Sequence, residues 1–146
     1  MSAFTITRVV AAPVDVVWGR LTDFARHGQA VPLTVTDLDP GPPGPGWQFV
    51  PRTGIGRARV ADHMIVTIWS PPRPQRMRGR FRVVKIGPWL RGWAQVSVEE
   101  VAGGTLVTWT EELGPRIDPA PLLTRPLAAR LGRRLFARAL DRVLRP

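Results

Sequence analysis

Hydrophobic and polar positions change period several times along this chain, and each change marks an element. "AFTITRVV" alternates Phe4, Ile6 and Arg8 with Thr5, Thr7 and Val9, the period of two expected of a β-branched strand. "APVDVVWGRLTDF" follows with Val14, Val17, Trp18, Leu21 and Phe24 at i, i+3, i+4, i+7 and i+10, a single apolar helical stripe. Pro13 suits the first helical turn, and Asp15 lies near the positive end of the helix dipole. "ARHGQAV" predicts a short second helix that Gly28 helps to end, and Pro32 stops it continuing.

The chain then reads as strands: "LTVTDL", "WQFVPR", "HMIVTIW", "RMRGRFRVVKI", "GWAQVSVEEV" and "TLVTWTEEL". "DPGPPGPG" is a rigid exposed loop, "TGIGR" a turn, "SPPRP" a strand terminator and "AGG" a hairpin signal. Helical period returns in the tail. Leu123, Leu127, Leu131, Leu135, Ala139 and Val143 recur four apart, with Ala128, Leu140 and Leu144 widening the stripe and Arg130, Arg133, Arg134, Arg138 and Arg142 falling mostly elsewhere. The expected architecture is α+β: seven antiparallel strands, two short helices after the first, and a long helix over about 122–144 against one face of the sheet.

At 146 residues the chain fits one domain, 1–146, large enough to bury roughly 70% of its unfolded surface around a small cavity. The formal charge of +10 ordinarily suggests nucleic acid or an anionic membrane. Its form weakens that suggestion, because among the 21 basic residues only Lys85 is lysine. Arginine alongside abundant Ala, Gly, Pro and Val is also what GC-rich coding produces. Cysteine is absent, which removes disulfides, thiol nucleophiles and Cys-based metal sites. No run approaches the roughly 18 apolar residues of a membrane span, and the start lacks a signal-peptide pattern. A cytoplasmic protein is expected.

Catalytic motifs are scarce. His27 and His63 have no companion at a metal-ligand spacing, so no metal is expected. No cofactor is expected either: "TGIGR" lacks the ending and the context of a phosphate loop. Ser70 or Ser97 could be combined with His63, but no nucleophile elbow supports a triad. Strand parity offers more. If Phe81 and Val83 face the long helix, Lys85 faces it too, and Val107, Trp109 and Glu111 share a face of the last strand. Lys85 and Glu111 then either meet beside the cavity or reach water near the strand ends. The same parity turns Arg78, Arg80 and Arg82 outward, a solvated face and not a specific nucleic-acid surface. The Arg-opposite-Leu pattern of the last helix leaves peripheral membrane contact open.

The order of elements resembles the helix-grip fold of the START-like, polyketide cyclase/dehydrase-like superfamily (SRPBCC). "ITRVVAAPVDVVWGRLTDF" is similar to that family's opening strand and its V-W-x-x-L-T-D-F helix. "TIWSPPRPQRMR" is similar to its strand ending in a Pro-Pro-Arg turn, and "GGTLVTWTEEL" to its late Gly-Thr-x-Val-Thr-Trp strand. "ARHGQAV" departs from the pattern in lacking an aromatic. The resemblance implies a curved sheet wrapped around the last helix, enclosing an apolar cavity for a hydrophobic, lipid- or polyketide-like ligand. Large apolar side chains suit such a wall. The expected lining is therefore Trp69, Phe81, Val83, Val107, Trp109, Leu127 and Leu131. The alternative is a cyclase, aromatase or dehydrase type of enzyme in the same cavity, with Glu111, His63 or Lys85 as the proton-moving candidates. Oligomeric state and ligand identity are not written in these patterns.

Overall fold

The computed structural model describes residues 2–116 and 125–146, with side chains for 3–116 and 130–146. The chain runs β1 (Ser2–Val10), α1 (Val14–Thr22), α2 (Phe24–Ala30), β2 (Thr34–Leu38), β3 (Gln48–Ile55), β4 (Ala58–Ala61), β5 (Met64–Ser70), β6 (Arg78–Lys85), β7 (Leu90–Val101), β8 (Gly104–Pro115) and α3 (Arg125–Leu144). Seven strands follow one antiparallel path, β1-β8-β7-β6-β5-β3-β2, in the helix-grip arrangement. The expected turn at "TGIGR" falls at Gly56 and Arg57, and it leads into β4, a short strand not expected from the sequence, which pairs only with β3. α1 and α2 connect one edge of the sheet to the other.

Parity in β6 is as the arginine alternation implies. Arg78 and Arg80 are exposed, while Gly79, Phe81, Val83 and Lys85 are buried. Gly79 interrupts the apolar side for a packing reason: a Cβ there would come within 2.9 Å of the Trp18 ring. The missing side chain is the seat of α1 on the sheet. Trp18 in turn meets Trp69 and Phe81 edge-on at 5.3 and 5.7 Å. In β5 a register shift between Val66 and Ile68 changes parity, so that Trp69 pairs with Phe81. In β7, Gly92 has φ 134° and a Cβ would lie 1.9 Å from the Glu112 carbonyl oxygen, a strand bend only glycine can occupy. α2 also differs from expectation, because Gly28 lies inside it and allows Thr36 of β2 to approach closely. Asp23 caps α2 by accepting the Arg26 N–H at 3.1 Å.

α3 is held at its end by arginine. Arg8 pairs with Asp141 at 2.8 Å, Arg20 donates to the Leu144 carbonyl at 2.9 Å, and Arg142 donates to the Ala30 carbonyl at 2.9 Å. The buried face of the helix carries Leu140, Val143 and Leu144, with Phe136 and Ala137 packed beside them. Leu131 and Leu135, expected to face inward, are 57% and 51% exposed. The reason is geometric: a residue advances about 100° around a helix, so a spacing of four drifts about 40° per step and carries Leu131 about 120° away from Val143. Leu123 lies outside the described residues, and Leu127 outside the described side chains.

This phase makes a prediction. Leu140→Asp puts a charge at a position 2% exposed and should cost about 3 kcal/mol or more. Leu131→Asp, in water, should change stability by no more than about 0.5 kcal/mol. Urea unfolding of the two variants measures both, and equal losses would contradict the packing described.

Candidate functional site

Between the sheet, α2 and α3 lies a cavity of about 190 Å³. One side is aromatic. Phe24, at the start of α2, stacks on Phe49 of β3 at 4.5 Å and stands edge-on to Phe81 of β6 at 5.7 Å. Phe136, Ala139, Leu140 and Val143 form the wall supplied by α3. Thr34 and Thr53 join hydroxyl to hydroxyl at 2.7 Å, and exposed Thr53 marks where the lining reaches solvent.

The other side carries ionisable groups. Lys85 is the last residue of β6 and Glu111 lies in β8, with β7 between them. Their partners on β7 are Gly92 and Ala94. Because neither has a bulky side chain, the Lys85 ammonium reaches across β7 to within 4.0 Å of Glu111 Oε1. Lys85 also donates to Asp62 Oδ2, and Trp109 donates its indole N–H to Glu111 Oε2 at 3.1 Å. The set is well buried, with side-chain exposure of 5% for Lys85, 2% for Glu111 and 14% for Asp62. Next to it, the His27 ring stacks on Trp109 with 6.0 Å between centroids.

Burial acts oppositely on the two groups flanking Trp109. It pushes the Glu111 carboxyl up to about 7, against the attraction of Lys85 and the Trp109 hydrogen bond. It pulls His27 down to about 4, against the Leu21 backbone and the Asp23 charge. Near neutral pH the cavity is therefore bordered by an uncharged imidazole and a carboxyl that exchanges its proton readily.

The sequence-derived lining divides accordingly. Phe81, Val83 and Trp109 border the cavity, as do Lys85 and Glu111. Trp69 does not border it; the β5 register shift directs it into the packing around Trp18 and Phe81. Val107 shares the inward face of β8 but is sealed in the core at 0% exposure. Leu131 is on the solvent side of α3. His63 is outside the lining and its carbonyl pairs with the Ile86 N–H. Sequence reasoning missed His27 and Asp62. Asp62 follows directly on β4, the strand that alternation alone does not reveal. His27 follows Phe24 by three residues, a helical spacing that could have placed it beside the apolar stripe. No group of three or more potential metal ligands occurs among the described residues, and no described helix is long and apolar enough to cross a membrane.

The family model described as "Polyketide cyclase / dehydrase and lipid transport" matches residues 1–145. The chain belongs to this family. No protein among the curated sequences matches it. Among solved structures, the fold is similar to that of the ZhuI aromatase/cyclase from Streptomyces sp. R1128, with TM-score 0.69 and 17% identity over 98% of this chain and 91% of that one. It is also similar to a START superfamily protein from Mycobacterium smegmatis, with TM-score 0.67 and 16% identity over 95% and 94% of the two chains. A protein from Thermus thermophilus has TM-score 0.69 and 16% identity over 98% and 97%. At these identities the likeness is one of fold.

The opposed shifts predict an unusual pH response. Above pH 6.5 His27 is neutral folded or unfolded and costs nothing; as pH falls from 6.5 to about 4 the unfolded state gains a proton that the folded state resists, and stability is lost. Glu111 works the other way. Below pH 4.5 it is protonated in both states, and stability is lost as pH rises from 4.5 to about 7. Each effect is worth about 3 kcal/mol, so between pH 4.5 and 6.5 they largely offset. Glu111→Gln should leave stability rising with pH across that window, and His27→Phe should leave it falling. Urea midpoints against pH for the three proteins test this, and a matching slope in both variants would refute the assignment.

Proposed function

We propose that the chain binds a hydrophobic small molecule, of lipid or polyketide type, in the cavity between the sheet and α3. The observation that carries this reading is the cavity's composition: an aromatic and aliphatic wall over most of its surface, with a few polar groups gathered beside Trp109. Apolar contact supplies affinity in such a site, and sparse polar groups fix orientation. The family's description, which joins polyketide cyclases and dehydrases to lipid transport, supports the same class of ligand.

A second reading is favoured by one specific feature. A carboxyl whose pKa lies at about 7 is suited to give and take protons at neutral pH, and Glu111 borders the cavity. On this reading the chain acts on a polyketide-like substrate as a cyclase, as the name of the Streptomyces protein suggests, with Glu111 as general acid–base and Lys85 holding its charge. Binding alone needs no such group.

The arginines support neither a specific nucleic-acid site nor a phosphate groove. Arg8, Arg20 and Arg142 are committed to α3, and Arg82 lies over the Trp93 ring at 4.3 Å, occupying the aromatic that a base would need for stacking.

The neutral probe N-phenyl-1-naphthylamine should bind with a fluorescence increase, and Ala139→Phe, which fills the cavity from α3, should weaken binding at least about tenfold while the unfolding midpoint is kept. Unchanged affinity would place the probe elsewhere and refute the reading. Changing Arg78, Arg80 and Arg82 together to Gln should leave probe affinity unchanged. Duplex DNA should bind the unaltered protein weakly and release by physiological salt, because such binding comes from counterion release alone. For the enzymatic reading, Glu111→Gln should bind a poly-β-ketone substrate yet lose its cyclisation, as read by product chromatography.

A further inference from the structure

Lysine occurs once among the 21 basic residues of this chain, and it stands at the cavity. The difference from arginine is chemical. A guanidinium keeps its proton in proteins and has no electron pair to offer, whereas a lysine that gives up a proton becomes an amine nucleophile. The Lys85 side chain is 5% exposed and borders a space whose other side is aromatic and aliphatic.

For so buried a group the ammonium is held by few partners. Among the described residues its one oxygen partner is Asp62 Oδ2. Met64 Sδ, a weak acceptor, lies at 3.9 Å, and Glu111 Oε1 lies at 4.0 Å, outside hydrogen-bonding reach. An ammonium has three N–H groups, so it is not saturated by these neighbours. Glu111 is the group that can receive its proton. Burial pushes that carboxyl up to about 7, against the attraction of Lys85 and the Trp109 hydrogen bond, so near neutral pH it both takes and gives a proton. Catalytic hydrogen bonds are commonly long before substrate binds and tighten afterwards.

From this arrangement we infer that Lys85 captures an apolar aldehyde or ketone in the cavity as an imine, with Glu111 carrying protons between nitrogen and oxygen. The inference rests on the cavity-binding reading and adds a covalent step to it. Two of the three ammonium protons leave with the carbonyl oxygen as water, a C=N bond replaces the C=O bond, and the product iminium carries the same positive charge. Asp62 then holds the iminium as it held the ammonium, and no buried charge is created or lost. Water leaves where the lining reaches solvent at Thr53, and its return by the same route hydrolyses the iminium, so capture is reversible.

Reaction with 2-naphthaldehyde and sodium cyanoborohydride, which reduces the iminium to a stable secondary amine, tests this by peptide mass spectrometry. With Lys85 the only lysine, the α-amino group is the one competing primary amine and serves as an internal reference. In the folded protein Lys85 should label at least about tenfold faster than that reference, and in guanidinium chloride the preference should vanish. Ala139→Phe should slow Lys85 labelling at least about tenfold by filling the cavity, with α-amino labelling as before. Glu111→Gln should slow it by a similar factor of about ten by removing the proton carrier, and an unchanged rate would overturn the role of Glu111. Labelling of Lys85 no faster than the reference, or unaffected by Ala139→Phe, would overturn the imine. If 2-naphthaldehyde still displaces N-phenyl-1-naphthylamine in that case, the cavity reading stands; absence of both displacement and labelling would overturn both.

Discussion

Two strands whose alternation is fixed by their apolar residues leave the protein no choice about where Lys85 and Glu111 go. Phe81 and Val83 must face α3 to close the core, and a period of two then carries Lys85 inside; Val107 and Trp109 do the same for Glu111. Two charges delivered to the interior have to be compensated, and much of the local design reads as that compensation. Gly92 and Ala94 keep β7 low between them, Trp109 turns its N–H onto the carboxylate, and Asp62 holds the ammonium from the far side. A fully ionised set has one negative charge in excess. Burial favours the uncharged form of Glu111 and lifts its pKa to about 7, with a smaller push from the Asp62 charge, and the proton it takes up relieves that excess.

The compensation is not complete, and the remainder lies toward the cavity. His27 avoids the cost of charge by staying neutral, yet among the described residues its Nε2 has no partner, nor has one oxygen of Asp62. A protein interior that served only stability would have filled this space with aliphatic side chains, since replacing buried ion pairs by packed apolar groups is often neutral or favourable. Retaining an ion pair, a neutral histidine and empty volume side by side is the kind of local inconsistency that accompanies a binding site.

Much of this could be read from residue order because it depends on period. The Val14–Leu21 stripe, the β6 arginines and the β8 alternation each fix an element and a face without reference to anything distant. What escapes depends on distance or on phase accumulated over length. Leu131 is misplaced by its spacing, because a step of four looks helical each time while turning steadily away from the packed face. Trp69 is expected at the cavity for its size, yet size does not tell a wall from a core: the rings of Trp18 and Phe81 hold it in the packing instead. His27 and Asp62 carry no motif. Their meaning comes from Trp109 and Lys85, which lie 82 and 23 positions away along the chain.

The arginine excess takes on a different sense in this light. At β1, α1 and the end of α3 the guanidinium groups work as structural clips, since a planar fork on a long stem can pair with a carboxylate or reach a terminal helix carbonyl from a neighbouring element. The C-terminal carbonyls of α3 need such donors because the helix forms one wall of the cavity and cannot shift without changing its volume. The lone lysine, Lys85, crosses β7 at Gly92 and Ala94 on an unbranched stem and beside the cavity, where the bulkier fork of an arginine would demand more room. Charge on the outside of this protein holds its wall in position, and the one lysine maintains the polarity of what the wall encloses.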